Sequence, residues 1–365
     1  MKGTAHHHKI SAMDFLIAMI ILSLTKSQMI GPITASSSEQ TVYDFSLVWM
    51  TDTQHYSAHY PSTYYNMTSW IVNKRGEMKI QYVIHTGDIV DTATDDHQWK
   101  NANDSMSVLD NVNVPYGVLG GNHDGQDGFQ NFNKYFGAQR FQGRTYYHAD
   151  NDGNHYDLIT SNGVNFVIVY LSYGIDSSER TWASEVFRTY VDRIGILAVH
   201  NYINSSGNYT GNGSDLNNDL VAPNRNVWLV LCGHVHGAHL NVRNAGSRTY
   251  YELLSDYQDL KNGGKGYQKI LNFDMTHNTV HVRTYSTILN QYGGTGYKYD
   301  EFDMELPSTT SSVSTQSSED RTNLSAYQII GTVALVAVLT ALTAVIYVLR
   351  RTGRKDWRAL QVAHQ

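Results

Sequence analysis

Carboxylate, amide and imidazole side chains stand directly after several hydrophobic segments of this 365-residue sequence. They are Asp52, Gln54, Asp88, Asp91, Asn122, His123, Asp124, His200, His234 and His236. Carboxylate oxygen, amide oxygen and neutral imidazole suit divalent transition metals, and there are enough of these groups for two ions. Two ions about 3.5 to 4 Å apart can stabilise the attacking and leaving oxygens of a phosphoryl group and lower the pKa of a bound water. The pattern therefore indicates a metal site suited to phosphoryl chemistry.

The segments before these side chains are predicted strands, which alternate with predicted helices in the first half of the chain. Hydrophobic runs predict strands at 45–50, 80–86 and 116–119, and helical spacing predicts helices at 64–74 and 97–109. Loops at the carboxyl ends of parallel strands converge on one crevice of an open α/β sheet. We therefore expect the polar groups that follow these strands to meet at one edge of a sheet.

The second half of the chain is rich in predicted strands. The predicted elements are a strand pair at 155–173 that turns at Asn162-Gly163, a helix at 184–193, strands at 194–199, 226–231 and 249–254, and a hairpin at 267–286 that turns near His277. No linker interrupts this pattern, which predicts a single domain at 36–305. The expected fold class is α/β, with layered sheets and outer helices in an α+β arrangement.

The ordered motifs of this domain resemble those of the calcineurin-like metallophosphoesterases. The chain reads D-x-Q, G-D-x-x-D, G-N-H-D, H and G-H-x-H between residues 48 and 236, where the family pattern is D-x-H, G-D, G-N-H-[DE], H and G-H-x-H. The segments WMTDTQHYS and GHVHGA, with SDYQ and GGKGYQKILNFD downstream, are similar to segments of secreted bacterial members that carry D-T-Q. The resemblance implies a four-layer αββα sandwich with both metals at the strand ends.

The resemblance also implies two ligand sets that share one carboxylate. The ligands implied for the first metal are Asp52, Gln54, Asp88 and His236. The ligands implied for the second metal are Asp88, Asn122, His200 and His234. Asp88 would bridge the ions, whose identity stays open between manganese, iron and zinc.

Two further residues receive catalytic roles from the same resemblance. A hydroxide that bridges the metals would attack phosphorus in line, and His123 would protonate the departing oxygen or stabilise its charge. Asp91 would orient the imidazole of His123, because pairing with a carboxylate is a common way to select a histidine tautomer.

Three positions depart from related families and narrow the expectation. Gln54 replaces the histidine of the first motif, and an amide binds metal more weakly than imidazole. Thr92 stands where serine/threonine phosphoprotein phosphatases have an arginine, so their signature is broken. Asp91 stands where purple acid phosphatases have a tyrosine ligand, which disfavours an iron-tyrosinate centre.

The charge of the chain disfavours nucleic acid as a partner. The sequence has 27 Lys and Arg against 33 Asp and Glu, and acidic residues dominate between residues 36 and 325. Proteins that bind polyanions hold the phosphates with clustered Lys and Arg. We therefore expect a small phosphoester, a nucleotide or a lipid head group as the substrate.

The amino-terminal segment has the pattern of a signal peptide. The apolar run FLIAMIILSL at 15–24 follows Lys2 and Lys9 and precedes the small-residue sequence ITA at 33–35. Residues 1–35 are therefore the predicted leader, and Met13 is an alternative start.

The carboxyl-terminal segment predicts a membrane anchor. Residues 306–326 are rich in Ser and Thr and read as a flexible stalk. Residues 327–349 lack charge and would form a helix about 35 Å long, enough to span a bilayer. The tail at 350–365 is basic, and positive charge is retained on the cytoplasmic side. These features predict a single-pass type I membrane protein with an extracellular or luminal domain.

Glycosylation sequons are consistent with that location. They occur at Asn66, Asn103, Asn204, Asn208, Asn212 and Asn323. Three of them lie in a Gly-, Asn- and Ser-rich stretch at 201–218 that is predicted to be an exposed loop.

The sequence thus supports a membrane-anchored, extracytoplasmic phosphoesterase with two divalent metals. It leaves open whether the enzyme hydrolyses monoesters or diesters. One alternative is a non-catalytic surface-binding or adhesion domain that retains the fold, and another is a chain that helps to assemble a surface complex. His123 discriminates between catalysis and a structural metal site, because only turnover requires it.

Overall fold

The computed structural model describes residues 42–150 and 153–307. The strands of this part are β1 Phe45–Met50, β2 Ile80–His85, β3 Tyr116–Val118, β4 Tyr147–Ala149, β5 His155–Ser161, β6 Val164–Leu171, β7 Ile194–Val199, β8 Val227–Cys232, β9 Gly237–Ala245, β10 Arg248–Asp256, β11 Tyr267–Asp274, β12 Thr279–Ser286, β13 Gln291–Tyr292 and β14 Glu301–Glu305. The helices are α1 Gln54–His59, α2 Pro61–Lys74, α3 Asp96–Asp110, α4 Gln130–Phe136, α5 Ser177–Thr189 and α6 Gly213–Leu216. Shorter turns are a 3₁₀ turn at Ala138–Phe141, a π turn at Asn217–Val221 and a turn at Lys261–Gly264.

The strands form two mixed sheets. The first has the order β13-β12-β11-β1-β2-β3, with β14 also paired to β12, and the second has the order β4-β5-β6-β7-β8-β10-β9. β1, β2 and β3 run parallel in the first sheet. β6, β7, β8 and β10 run parallel in the second. Each sheet therefore has one edge at which several carboxyl ends of parallel strands meet.

Aromatic side chains join the inner faces of the two sheets. Phe45 of β1 lies 6.1 Å from Phe166 of β6, and Phe273 of β11 lies 5.5 Å from Phe166 and 6.3 Å from Trp228 of β8, measured between ring centroids. All four side chains are buried. Such rings exclude water from the inner faces and stabilise the stacked arrangement through apolar burial.

Helices cover the outer faces. Buried side chains of α2, α3 and α4 pack with β1 and β2 in one core cluster, and α5 packs with β6, β7 and β8 in another. The structure is a mixed α/β sandwich of two sheets, which confirms the predicted fold class. Within the described ranges no helix has the length and apolar composition needed to cross a bilayer. The predicted leader (1–35), span (327–349) and tail (350–365) lie outside the described residues, as does the predicted stalk except for its first two residues.

One predicted helix has the wrong limits. The sequence predicts residues 184–193, whereas α5 is Ser177–Thr189. Asp176 accepts hydrogen bonds from the backbone N–H groups of Ser178 and Glu179, and the Glu179 side chain accepts from the Asp176 N–H. This reciprocal capping box starts the helix before its apolar face begins, which is why apolar spacing alone placed the start too late.

The stretch at 201–218 is only partly the exposed loop that was predicted. Tyr202 and Ile203 are buried at its start, and Leu216 is buried in α6. The sequence also missed β9, in which no residue beyond Ala238 is buried. An edge strand of this kind has a weak apolar pattern, because among the described strands only β10 pairs with it.

Candidate metal centre

The predicted ligands follow the carboxyl ends of strands from both sheets. Asp52 comes after β1 and Asp88 after β2, whereas His200 comes after β7 and His234 after β8. The Asp88 Oδ2 lies 3.3 Å from His200 Nε2, and the backbone N–H of His234 donates to Asp52 Oδ1 at 3.1 Å. The site is thus formed where the carboxyl ends of the parallel strands of the two sheets lie close together.

The backbone turns sharply at three of these positions. Asp52 and Asp88 each have a φ of 50°, and His234 has a φ of 70°. Residues other than glycine seldom adopt the left-handed region, and such strained positions cluster at functional sites. The turns direct the side chains back over the strand ends, toward one another.

Two glycines leave the space that these carboxylates need. A Cβ built on Gly121 would collide with the Oδ1 of Asp88, and one built on Gly233 would collide with the Oδ2 of Asp52. The glycines of the G-N-H-D and G-H-x-H motifs are therefore required by the close approach of backbone to ligand.

Asp88, His200 and His234 form the most compact cluster of potential metal ligands in the site. One potential ligand atom from each lies within 4.8 Å of the others. His234 Nδ1 lies 3.2 Å from His200 Nε2, and the Oδ1 of Asn122 lies 2.9 Å from the same nitrogen. The converging atoms are mostly acceptors, and a cation satisfies such a set where a single proton satisfies only a part of it.

The tautomer of His200 suits metal binding. Its Nδ1 lies 3.0 Å from the main-chain oxygen of Thr86, so a proton on Nδ1 is donated outward from the cluster. The Nε2 lone pair then faces Asp88 and Asn122. Metal-bound histidines commonly donate their other N–H to a carbonyl or carboxylate in this way.

The electrostatics of the cluster favour a bound positive charge. Burial disfavours protonated His200, but the Asp88 carboxylate outweighs burial and raises the pKa of His200 to about 10. Burial also raises the pKa of Asp88, yet the charge of His200 prevails and the pKa falls below its usual value. Burial and then the His200 charge lower the pKa of His234 to about 4. A metal ion would take the place of the proton on His200.

The first predicted ligand set is more dispersed. The Nε2 of Gln54 lies 3.3 Å from Asp88 Oδ2. The carboxylate of Asp52 accepts from the Thr51 hydroxyl and from the N–H of His234, and His236 is exposed. Burial and then the charge of Asp256 raise the pKa of Asp52 well above its usual range. The buried carboxylates of Asp52 and Asp256 repel each other, and a cation between or beside them would relieve that repulsion.

One atom of this set fits a metal directly. The side chain of Gln54 is 1% exposed, and its Oε1 has no hydrogen-bond partner within the described ranges. A buried acceptor without a donor costs about 1 to 3 kcal/mol. A divalent cation at the first site would satisfy this oxygen, so the residues present fit the metal that the motifs imply.

His123 lies beside the cluster and is partly exposed. Its backbone N–H donates to Asp88 Oδ1 at 3.0 Å. Its Nδ1 lies 2.7 Å from the main-chain oxygen of Asp91 and 3.5 Å from the Asp91 carboxylate. A proton on Nδ1 thus faces Asp91, and its nearer partner there is the backbone carbonyl and not the carboxylate.

Asp124 joins the loops that carry these residues. Its buried carboxylate accepts from the N–H groups of Ile89, Val90 and Gly121, at 2.8 to 3.1 Å. Burial and then the charge of Asp88 raise the pKa of Asp124 to about 7. This residue holds the loop after β2 against the loop after β3 and contributes no free ligand atom.

Two residues of the site, Asp256 and Gln258, entered the sequence analysis only as part of the SDYQ segment and were given no role at the metal centre. Gln258 Oε1 accepts from Gln54 Nε2 at 2.5 Å, and Asp256 accepts from both the backbone N–H and the Nε2 of Gln258 at 2.9 Å. Asp256 ends β10, beside β8 in the second sheet. A signal was present, because Asp256-Tyr257-Gln258 repeats at a strand end the D-x-Q pattern of Asp52-Thr53-Gln54.

A pocket of about 200 Å³ adjoins the cluster on the side of His200. It is lined by Tyr173, Gly174, Ile175, His200, Asn201, Gly211 and Asn212. The ring of Tyr173 is 43% exposed, and its centroid lies 6.0 Å from the centroids of both His200 and His234. By contrast, Tyr56 and Tyr64, which lie near the first motif, are buried in the core.

Comparisons with known proteins identify the family of this chain. The sequence model of the family described as calcineurin-like phosphoesterase matches residues 45–238. An uncharacterized protein of Bacillus subtilis, YvnB, is 42% identical over 278 residues, which cover 72% of this chain and 22% of the relative. The chain thus spans less than a quarter of that protein's length.

One solved structure shares the fold. A dimetal phosphatase from Danio rerio superimposes with a TM-score of 0.51 at 10% identity, covering 73% of this chain and 100% of the other. A purple acid phosphatase from yellow lupin gives a TM-score of 0.49 at 14% identity, covering 72% of this chain and 54% of the other. The family match spans the strands and loops that assemble the metal centre, and the chain belongs to the calcineurin-like phosphoesterase family.

Proposed function

We propose that this chain is a hydrolase of small phosphate esters that depends on two divalent metal ions. The observation that carries the proposal is the convergence of Asp88, Asn122, His200 and His234 from both sheets. The unpartnered Oε1 of Gln54 supports a second ion beside this set. When bound, the ions would supply a nucleophilic water of lowered pKa and stabilise charge on the phosphoryl oxygens.

The chain's own residues supply the rest of the reaction. Water adds to phosphorus, the ester P–O bond breaks, and the departing oxygen takes a proton from His123, which regains a proton when the one released by the water returns to it. The contact of His123 Nδ1 with the Asp91 carbonyl fixes the ring and leaves Nε2 to exchange that proton. The partial exposure of His123 gives the substrate access to it.

The pocket beside His200 supports a small substrate. Its volume of about 200 Å³ suits the organic group of a phosphate ester, and Tyr173 offers an aromatic face to that group. The acidic composition of the chain disfavours nucleic acid. A nucleotide or a lipid head group is compatible with these dimensions.

The location is also a proposal. The apolar segments at 15–24 and 327–349 and the basic tail support a type I membrane protein with an extracellular or luminal domain. The sequon residues Asn66 and Asn208 are exposed, so glycosylation there would meet no steric obstacle. Removal of N-glycans from the protein isolated from its native cell should reduce its apparent mass, whereas an unchanged mass would contradict a glycosylated ectodomain.

The catalytic proposal is tested with the purified full chain and two model substrates. Hydrolysis of mono- and bis-(p-nitrophenyl) phosphate would be measured after loading with Mn²⁺, Zn²⁺ or Fe²⁺. Turnover should be lost in Asp88→Asn and His123→Ala. His239→Ala is the control, because His239 lies on β9, is not among the predicted ligands, and its Nδ1 also contacts a main-chain oxygen, that of Ser205. The ratio of the two rates would assign the enzyme as a monoesterase or a diesterase.

A metal-filled protein without turnover in any form would support the alternative of a non-catalytic surface-binding domain. The D-T-Q sequence at Asp52 to Gln54 supports placing the chain with the secreted bacterial members of the family.

A further inference from the structure

The side-chain amide of Gln54 can be oriented in two ways, and only one of them leaves its oxygen free to bind a metal. The two ends of an amide differ, because Oε1 accepts hydrogen bonds or binds a cation and Nε2 only donates. In the structure Nε2 of Gln54 faces Asp88 Oδ2 at 3.3 Å and Gln258 Oε1 at 2.5 Å, and Oε1 is buried without a partner in the described chain. The reverse orientation would place the amide oxygen against the oxygens of Asp88 and Gln258, bury an NH₂ group without an acceptor and leave no free oxygen for a cation.

Asp256 sets the orientation of Gln258. The carboxylate accepts from the backbone N–H of Gln258 through Oδ1 and from its side-chain NH₂ through Oδ2, both at 2.9 Å. An ionised carboxylate has no proton to donate, so Gln258 must turn its NH₂ toward Asp256 and its Oε1 away. That oxygen can only accept, and its partner is Gln54. The NH₂ of Gln54 must therefore face Gln258.

We propose that Asp256 and Gln258 are positioning residues that hold the amide of Gln54 with its oxygen available to the first metal ion. The inference rests on the proposed metal site and adds two residues to it. The order of donors and acceptors from Asp256 through Gln258 to Gln54 allows only the amide orientation in which Oε1 of Gln54 is free. A weak amide ligand becomes a defined oxygen ligand because its other end is occupied.

Asp256, Gln258 and Gln54 form a relay of hydrogen bonds, and the elements that carry it are packed against each other. Gln54 begins α1, and Gln258 lies just before the turn at Lys261–Gly264. The backbone N–H of Gly266 donates to the hydroxyl of Tyr56 at 2.9 Å, and a Cβ on Gly263 would approach the Cβ of His55 to 2.7 Å. The turn thus packs closely on α1, and this contact holds Gln258 beside Gln54.

The test measures metal binding without any substrate, so it remains informative if the protein proves to hydrolyse nothing. Mn²⁺ would be titrated into the metal-free full chain by calorimetry, with the bound metal counted by elemental analysis. Gln258→Met removes the acceptor for Gln54 at similar volume. Asp256→Asn offers Gln258 an NH₂ group and permits the inverted polarity. Asp259→Asn is the charge-matched control, because Asp259 is exposed and pairs with Tyr297.

The two relay variants should weaken one Mn²⁺ site by about 10- to 100-fold, the usual effect of removing a residue that orients a ligand. Asp259→Asn should bind as the wild type does. Thermal unfolding in a chelator should show that the variants remain folded, and a variant that fails this control is replaced by Gln258→Ala.

A double-mutant cycle separates orientation from general support. An imidazole at position 54 does not depend on amide polarity, so adding Gln258→Met to Gln54→His should change Mn²⁺ affinity by less than about threefold. Equal losses on adding Gln258→Met to the wild type and to the Gln54→His variant would overturn the proposal. So would wild-type affinity and stoichiometry in both Gln258→Met and Asp256→Asn.

Discussion

The Nδ1 of His123 lies 2.7 Å from the main-chain oxygen of Asp91 and 3.5 Å from the carboxylate of the same residue. The backbone therefore makes the shorter contact with the imidazole. Gln98 holds that backbone in place, because its Oε1 accepts from the N–H groups of Asp91 and Thr92 at 2.8 and 3.0 Å. The orientation of His123 depends on the loop after β2 more than on one acidic side chain.

The Asp91 side chain should accordingly matter less than His123. We expect His123→Ala to lower kcat by about 10²- to 10⁴-fold, the range for loss of a general acid. Asp91→Ala should lower kcat by less than about tenfold, since the carbonyl contact survives. Steady-state kinetics with bis-(p-nitrophenyl) phosphate would compare them, and equal losses would show that the carboxylate is the essential partner.

The space beside Asp88 should not tolerate a methyl group. Gly121→Ala places a Cβ against Asp88, so we expect Mn²⁺ affinity to fall by at least about tenfold and the free energy of unfolding to fall by about 1 to 3 kcal/mol. Gly76→Ala is the matched control, because a Cβ there meets no atom within 4 Å. Calorimetric titration and urea unfolding measure the two effects, and a Gly121→Ala protein with wild-type affinity would refute the close approach.

Metal should stabilise the folded chain. A ligand present at 100 times its Kd adds about 2.7 kcal/mol to the free energy of unfolding. We expect Mn²⁺ to raise the Tm of the wild type and EDTA to reverse the increase. The increase should be much smaller in Asp88→Asn, because Asp88 contacts both ligand sets. Differential scanning calorimetry gives the comparison, and an equal increase in the variant would place the stabilising metal elsewhere.

Tyr173 should contribute to substrate binding rather than to chemistry. Its exposed ring borders the pocket, and an aromatic contact is worth about 0.5 to 1.5 kcal/mol. Tyr173→Ala should raise KM for bis-(p-nitrophenyl) phosphate by about 2- to 12-fold and leave KM for an alkyl ester nearly unchanged. Tyr65→Ala, which also removes an exposed ring, is the control. A fall in kcat with constant KM would argue against a binding role.

Acid should destabilise the protein through a histidine outside the site. Burial lowers the pKa of His155 to about 3, and its ring stacks between Tyr147 and Tyr170 with centroids 4.6 and 4.3 Å away. The unfolded chain binds a proton there below about pH 6.5 and the folded chain does not. Stability present above pH 6.5 is therefore lost as the pH falls toward 3, by up to about 1.4 kcal/mol per pH unit.

His155→Phe removes this titration and keeps the stacking. Its free energy of unfolding should decline less than that of the wild type between pH 6.5 and 4. At pH 8 both forms have an uncharged ring at this position, so that measurement isolates the change in packing. Parallel pH profiles of the two proteins would exclude His155 as a source of acid sensitivity.

The family and the predicted ligands could be read from the sequence because each motif is short and lies at a strand end. The apolar runs before Asp52, Asp88 and His200 became the strands that were predicted, to within a residue. Local pattern was sufficient there, since a buried strand is a continuous apolar segment. Helix α5 was placed less well, because its start depends on the capping side chains of Asp176 and Glu179.

The sequence by itself determined which chemistry the chain can carry, because the types and order of the polar residues are properties of the chain. Only the tertiary structure decided which of them meet. It brought Asp256 and Gln258 to Gln54 across about 200 residues of chain, gave the backbone of Asp91 the shorter contact with His123, and opened the pocket at Tyr173. These relationships depend on the pairing of β10 with β8 and on the stacking of two sheets. Local patterning does not encode such long-range contacts, because side chains so far apart are brought together only by the packing of the whole domain.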